Sequence, residues 1–455
     1  MNSAAVFPIS SLIVGIVLSL TLGFPLSWGI LFAILVTLVS VKKLGFSWGQ
    51  QFSFGWDGIR QTKPVLIILF LVGLLIPLLM MGGTIPAIIY YGLSIVNVEY
   101  LLVLSFILTS VVSYLLGTSV GTLSTIGLSL MGIAHAADLS AGMVGGALIC
   151  GAMVGERFSP ISSSRMLVLS HVGMTEKQDR ATQGAARLTT IICAVLFLVL
   201  DLFREQVGTG DSIRMYQELL TSHFPISWVA LIPLLVLIAV FAFRVKAIYA
   251  LLCGVVASLV LVLSGGPITL STLAGTILYG YEPQTGTLLD ELVHGGGMIS
   301  ILSVLLLIVL AGFLNGILNK ANLLTPFVER MMGVTKNKIA LVGKSMAISL
   351  LVVMISCNQT IPILVMGSTL IGRFSQYNRG KEFLGKTMLD STLVMPVLIP
   401  WNGLAMVIAI SLGVSTIETL PFLFYSLLLP IVTLISSRRF GEKEAGMIPN
   451  TKKAM

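Results

Sequence analysis

Four charged residues stand inside long apolar runs of the chain: Glu156, Arg157, Arg165 and Asp390. A charge at membrane depth costs about 2.5–3.5 kcal/mol on insertion scales, so each is a functional candidate. Glu156 can carry a proton, or pair with Arg157 as a structural ion pair. Asp390 precedes a broken helix by one turn; it can serve as a second proton site or face water near Lys386. Arg165 follows Pro160 by five residues and can clamp a carboxylate bidentately, as guanidinium geometry favours. It can also pair with Glu156, or snorkel to the inner surface. His171 reads as polar packing, and Lys344 lies near enough to the inner surface to snorkel.

The neutral candidates sit at four interruptions of apolar stretches. Thr118, Ser119 and Thr122 mark the first; Ser159, Ser162, Ser163 and Ser164 mark the second. Asn358, Gln359 and Thr360 mark the third, and Asn402 follows Pro396, Pro400 and Trp401 in the fourth. A helix end leaves backbone groups unpaired. In lipid such groups are tolerated only where they line an enclosed cavity. Half-helix C-termini offer carbonyls to cations and N-termini offer amides to anions. The plainer role for these side chains is to satisfy the freed backbone.

The elements that must position these residues are membrane helices. Of 455 residues, 56% are apolar and 10% are charged, against roughly 25% charged in a soluble domain. Too few charges remain to coat a water-facing surface. Soluble enzymes, disordered tails and disulfide scaffolds are excluded. Apolar blocks of about 16–20 residues match helices that cross a bilayer, whereas barrel strands are shorter and alternate. Cys150, Cys193, Cys253 and Cys357 lie singly in such blocks and form no metal or redox spacing. Residues 8–24 read as a retained first helix rather than a signal peptide.

The net charge of +8 is topological, because cytoplasmic loops collect Lys and Arg. Helices are expected near 8–24, 26–41, 65–81, 188–203, 226–243, 247–264, 298–319 and 420–436, with broken stretches at 100–134, 140–173, 339–372 and 388–415. Both termini then lie inside. This threading places 22 of the 27 basic residues inside, Arg244, Lys336 and Arg439 among them. Arg204 and Arg214 fall outside, beside the acidic outer loop of Glu282, Asp290 and Glu291, and Arg157, Arg165 and Lys344 fall at depth.

The two halves share an order of hairpin, helix, two broken stretches and helix. Phe7-Pro8-Ile9-Ser10 opens one and Phe224-Pro225-Ile226-Ser227 the other. Pro160 precedes Gly173 by 13 residues, as Pro400 precedes Gly413. The loop between the broken stretches is neutral and outside in the first half, and basic and inside in the second. The expected fold is therefore an all-α polytopic membrane protein of two inverted-topology repeats, residues 1–215 and 216–437, with a cytoplasmic tail at 438–455. Each repeat carries interrupted helices or a re-entrant hairpin, for about 10–14 segments in all, the architecture of secondary transporters.

Five stretches resemble the NhaC-type sodium/proton antiporters. They are Gly83-Thr84-Ile85-Pro86-Ala87-Ile88-Ile89-Tyr90-Tyr91-Gly92-Leu93, Gly117-Thr118-Ser119 with Thr125 to Ile133, Gly155-Glu156-Arg157-Phe158-Ser159-Pro160-Ile161-Ser162, Ile399-Pro400-Trp401-Asn402, and Leu412-Gly413-Val414. The resemblance implies an ion-coupled antiporter, with relatives that exchange malate and lactate. Glu156 and Asp390 are then the candidates for holding Na+. The family pattern Leu-Ser-Asp-Thr-Thr-Asn reads Ile161-Ser162-Ser163-Ser164-Arg165-Met166 here, so an acidic residue is Ser163 and a Thr is Arg165. Its Gly-Asp-Lys reads Gly155-Glu156-Arg157.

Two functions follow. The first is Na+/H+ exchange in a bacterial plasma membrane by alternating access. The second is exchange of organic anions or amino acids, with Arg165 on a carboxylate. No metal-ligand cluster or Ser-His-Asp set points to an enzyme, and no cofactor is expected. The partners are the bilayer, Na+ or H+, and for the second function a small carboxylate solute. No nucleic acid is expected, and a homodimer is compatible.

Overall fold

The computed structural model describes residues 6–438 except 96, 205–209, 244, 288–289, 291–294 and 336. Arg244, Glu291, Lys336, Arg439 and all but the first residue of the tail expected at 438–455 lie outside the described residues. The protein is all-α: among the described residues the only β contact is an isolated bridge between Tyr281 and Gly295. Among the described residues eight helices are long and apolar enough to cross a membrane, or ten if each of two bent pairs counts as one span.

The first half runs α1 (Val6–Leu22), α2 (Leu26–Lys43), α3 (Trp48–Met81), α4 (Thr84–Ile95) and α5 (Leu101–Leu116). It continues with α6 (Ser119–Ala136), then α7 (Ala141–Phe158), α8 (Ser163–Val172), α9 (Glu176–Thr182) and α10 (Gly184–Phe203). After α11 (Gly210–His223) and α12 (Trp228–Ala242) come α13 (Ala247–Ser264), α14 (Leu270–Tyr279), α15 (Met298–Lys320) and α16 (Leu324–Met332). The chain ends with α17 (Lys338–Ser356), α18 (Thr360–Phe374), α19 (Gly380–Leu389), α20 (Gly403–Leu412) and α21 (Phe424–Ser436).

The third helix is longer than its apolar block. It starts at Trp48 because Ser47 and Gln50 form a reciprocal capping box. The loop expected before residue 65 is therefore mostly helix, and Pro64 and Pro77 lie within it.

All four expected breaks are present. Gly117 and Cys357 end α5 and α17 in the left-handed conformation, with φ of 69° and 48°. Ser159 and Ile399 are extended, the conformation favoured for the residue before a proline. Each break is closed by a side chain that caps the next half-helix. Thr118 Oγ1 accepts from Gly121 N at 3.4 Å, and Ser162 Oγ from Arg165 N at 3.2 Å. Asn358 Oδ1 accepts from Thr360 N at 2.6 Å, and Asn402 Oδ1 from Leu404 N at 3.0 Å.

Small residues bring the broken helices into contact. A Cβ on Gly151 would lie 2.1 Å from Thr109 Oγ1, and one on Gly155 would lie 2.3 Å from Ser113 Cβ, so α5 and α7 touch backbone to backbone. A Cβ on Gly58 would lie 2.1 Å from Gly312 O, which holds α3 against α15 in the same way. Such contacts suit membrane interiors, where close packing replaces hydrophobic drive. Two apolar cores result. One joins α4 to α7 with α12, α13 and α21; the other joins α1 and α2 with α15 to α19.

Candidate functional site

The breaks meet in pairs. A Cβ on Gly117 would lie 2.6 Å from the Ile161 side chain, so the first break abuts the second. Gly403 N donates to Cys357 O at 3.0 Å, and Trp401 Nε1 donates to Met354 O at 2.9 Å, so the fourth break closes on the third. Asn402 Nδ2 adds a bond to Val353 O at 3.5 Å. The pairs are joined through Ser164, whose hydroxyl lies 2.9 Å from Gln359 Oε1.

Glu156 sits at this crossing, 5% exposed. Ser119 Oγ donates to its Oε2 at 2.9 Å, and Ser164 Oγ lies 3.2 Å from its Oε1. Among the described residues no cationic side chain pairs with it. Neither the pairing of Glu156 with Arg157 nor that with Arg165 occurs. Successive residues on a helix point about 100° apart, and Arg157 turns to a separate network.

That network is a buried five-residue ion cluster. Arg157 Nε donates to Asp390 Oδ1 at 2.7 Å, and its Nη1 donates to Asp179 Oδ1 at 3.1 Å. Arg165 Nη2 lies 2.7 Å from Asp179 Oδ2, and its Nη1 donates to Ser159 O at 3.2 Å. Thr433 Oγ1 donates to Asp390 Oδ2 at 2.8 Å, with Lys386 Nζ 3.9 Å away. Asp390 therefore does not face water; it is fully buried. Arg165 does not snorkel; it is 1% exposed and held by Asp179. Arg157 Nη2 alone has no partner among the described residues.

The remaining candidates divide. Thr122 Oγ1 donates to Thr118 O at 2.8 Å, and Ser159 Oγ accepts from Ile161 N at 3.3 Å, so both serve backbone. Thr118, Ser162, Asn358 and Asn402 are caps. Ser163 opens α8 and is exposed. Thr360 opens α18 and lines a cavity of about 170 Å³ with Thr62, Asn315, Cys357, Asn358 and Gln359. His171 Nε2 lies 3.0 Å from Leu364 O, and Lys344 Nζ donates to Met332 O at 3.4 Å.

Three residues here escaped the sequence reading. Asp179 lay in a loop among Lys177 and Arg180, where a charge looks ordinary. The signal was Thr175-x-x-Gln178, a capping box that starts α9 and turns Asp179 inward. Asn315 is one of two asparagines, with Asn319, near the end of a 23-residue apolar helix. Thr62 lies before residue 65, where a loop is expected and the structure has α3.

Comparison with known proteins gives the same direction. Residues 173–438 match the model of the Na+/H+ antiporter family. The chain is 28% identical over 441 residues to the Na(+)/H(+) antiporter NhaC of Alkalihalophilus pseudofirmus, covering 91% of this chain and 95% of that one. It is 28% identical over 413 residues to NhaC of Bacillus subtilis, covering 88% and 90%. It is also 27% identical over 449 residues to the arginine/ornithine antiporter ArcD of Halobacterium salinarum, covering 95% and 90%.

Proposed function

The chain belongs to the Na+/H+ antiporter family, and on that premise we propose that it exchanges Na+ for H+ across a bacterial plasma membrane, with Glu156 as the group that takes and releases the proton. It is a multi-pass membrane transporter, not an enzyme. The carrying observation is the setting of Glu156. It is a buried carboxylate held by two hydroxyls and, among the described residues, by no cationic side chain. A buried charge must be compensated. A proton or a nearby cation supplies that compensation, so the two exclude each other.

The mechanism is alternating access between two inverted repeats, residues 1–215 and 216–437, with both termini cytoplasmic. The four capped breaks support it, because each repeat contributes a matched pair. Glu156 belongs to the first repeat and Gln359 to the second, so a rocking motion between repeats acts on the site itself.

The second reading is exchange of organic anions or amino acids. A relative named as an arginine/ornithine antiporter favours it. The geometry of the charged groups counts against it. Arg165 is committed to Asp179, and the four half-helix N-termini are capped by the protein's own side chains.

The test is proton movement in sealed vesicles containing the purified protein. Added Na+ should move protons through the wild type and not through Glu156→Gln. Sodium-driven proton movement at the wild-type rate in that variant would overturn the assignment.

A further inference from the structure

The cavity beside the crossing contains an unexplained polar atom. Asn315 is 5% exposed and lies on the cavity wall. Its Nδ2 donates to Ser356 O. A carbonyl oxygen only accepts, so this bond fixes the orientation of the amide. Asn315 Oδ1 is then left with no hydrogen-bond partner among the described residues. An unsatisfied buried acceptor costs about 1–3 kcal/mol, so something is expected to fill its place.

Gln359, on the same wall, is oriented in the same way. Its Nε2 donates to Leu393 O at 3.0 Å, which turns Oε1 toward Ser164. Ser164 carries one hydroxyl hydrogen. It faces two acceptors, Gln359 Oε1 at 2.9 Å and Glu156 Oε1 at 3.2 Å. When Glu156 is protonated, its O–H donates to Ser164, and Ser164 donates to Gln359. Every atom of that relay is satisfied, and Asn315 Oδ1 is the one bare oxygen of the two. When Glu156 is ionised, the hydrogen of Ser164 turns to the carboxylate. Gln359 Oε1 then loses its donor and joins Asn315 Oδ1 as a second bare oxygen at the cavity.

We propose that this cavity binds the transported cation, with Asn315 Oδ1 and Gln359 Oε1 as its protein ligands and Ser164 as the relay that frees Gln359 when Glu156 loses its proton. The proposal rests on the Na+/H+ reading and deepens it: cation and proton need not share an atom. Neutral oxygens suit a hard cation. A water's share of liquid volume is about 30 Å³, so a 170 Å³ cavity admits the ion with part of its hydration shell. Ionised Glu156 supplies the counter-charge one hydroxyl away. The buried charged groups nearby are Arg157, Arg165, Asp179, Lys386 and Asp390, all bonded within their own cluster. The helices that bound the cavity also carry Asp57, Arg60 and Lys63 on α3, Lys320 on α15, Lys338 and Lys344 on α17 and Arg373 on α18, all partly or fully exposed, with Asp57 bridged to Arg60 and Lys320. The Cys357 thiol is the titratable group on the cavity wall.

Thermal melting of the purified full-length protein tests this, in NaCl against choline chloride at several pH values. Wild type should gain stability with Na+, and lose that gain as the pH falls. Asn315→Ala and Gln359→Met should each lower the apparent Na+ affinity at least tenfold. Ser164→Ala should keep Na+ stabilisation but weaken its pH dependence, because Gln359 is then always free and only the counter-charge of Glu156 still varies with pH. A folded Asn315 or Gln359 variant with the wild-type response would overturn the site, as would a wild type indifferent to Na+. A wild-type pH profile in Ser164→Ala would overturn the relay. If Asn315→Ala does not fold, Gln359→Met carries the test alone. Sodium binding without proton movement in vesicles would instead sink the antiport reading and leave the site standing.

Discussion

Arg157 Nε and Asp390 Oδ1 lie 2.7 Å apart with both side chains fully buried, joining the first half of the chain to the second. The pair lies beside the candidate site and does not enter it. Its neighbours extend the link: Asp179 holds Arg157 and Arg165, and Thr433 holds Asp390. The cluster thus ties α7, α8 and α9 to α19 and α21. Ion pairs buried this well fix an arrangement more than they stabilise it, because desolvation offsets much of the attraction.

Asp390→Asn removes one of the two carboxylates that face Arg157 and leaves it with Asp179, which Arg165 shares. The variant should destabilise the protein, by less than the ~3–5 kcal/mol of a fully stranded charge. The double variant Arg157→Met with Asp390→Leu should be more stable than Asp390→Asn alone, since the cluster then loses a positive charge together with the negative one. Thermal melting in detergent reads both. Equal melting of the single and double variants would show that the two residues act independently.

The contact between α5 and α7 carries the second prediction. Gly151 and Gly155 leave no room for a side chain: their added Cβ atoms would meet Phe106 O at 2.3 Å and Tyr114 N at 2.5 Å. Backbone atoms cannot move aside as a flexible side chain can. Gly151→Ala should cost about 1–3 kcal/mol by forcing the helices apart. Because Glu156 sits near the end of α7 and Ser119 opens α6 just past the end of α5, Na+-driven proton movement should fall as well. Ala at Gly184, where no atom lies within 4 Å of an added Cβ, is the matched control. Equal melting of the two variants would contradict the packing described.

The crossing of the breaks was legible because membrane sequences penalise what is rare in them. Glu156, Arg165 and Asp390 stood out in apolar blocks, and Pro160 and Pro400 marked where helices had to open. What was not legible was partnership. A sequence places Arg165 at a depth but does not say that Asp179, fourteen residues on, turns back to hold it. That depends on α9 folding under the membrane helices. The long α3 was missed because its first turns are polar, and a capping box rather than hydropathy starts it. Asn315 was missed because two amides, Asn315 and Asn319, near the end of an apolar helix make no pattern. Only its unpaired oxygen singles it out.

Outside the membrane helices, the segment from Thr285 to Asp290 has its own pH dependence. Thr285 N donates to Asp290 Oδ1 at 2.7 Å, Thr285 Oγ1 to the same oxygen at 2.8 Å, and Gly286 N to Oδ2 at 2.8 Å. These bonds, that of the Thr285 amide first, hold the Asp290 carboxyl below the usual Asp range. A lowered folded value means the contribution is complete above the unfolded value of about 3.9 and is lost as the pH falls through the folded one. Hydrogen exchange at Thr285 and Gly286, corrected for intrinsic rate, should stay slow from pH 6 to 4 and quicken below. Asp290→Ala should exchange fast throughout. Protection in that variant at pH 6 would show that other contacts hold the segment.

Arg165 separates the two functional readings. Its guanidinium is spent on Asp179 and Ser159 O, so in Na+/H+ exchange its role is to hold α8 and α9 together across the second break. Arg165→Gln should then lower the melting temperature, while folded protein keeps the wild-type half-saturation for Na+. Arg157 still engages Asp179, so the loss should be smaller than the ~3–5 kcal/mol of a fully stranded charge. If the protein instead exchanges a carboxylate-bearing solute on this guanidinium, the same change should abolish solute exchange at every concentration. The measurement is uptake into proteoliposomes, with Na+ gradients in one series and labelled arginine or malate in another. Solute exchange by the wild type that vanishes in Arg165→Gln, with melting unchanged, would move Arg165 from the scaffold to the binding site and reverse the order of the two readings.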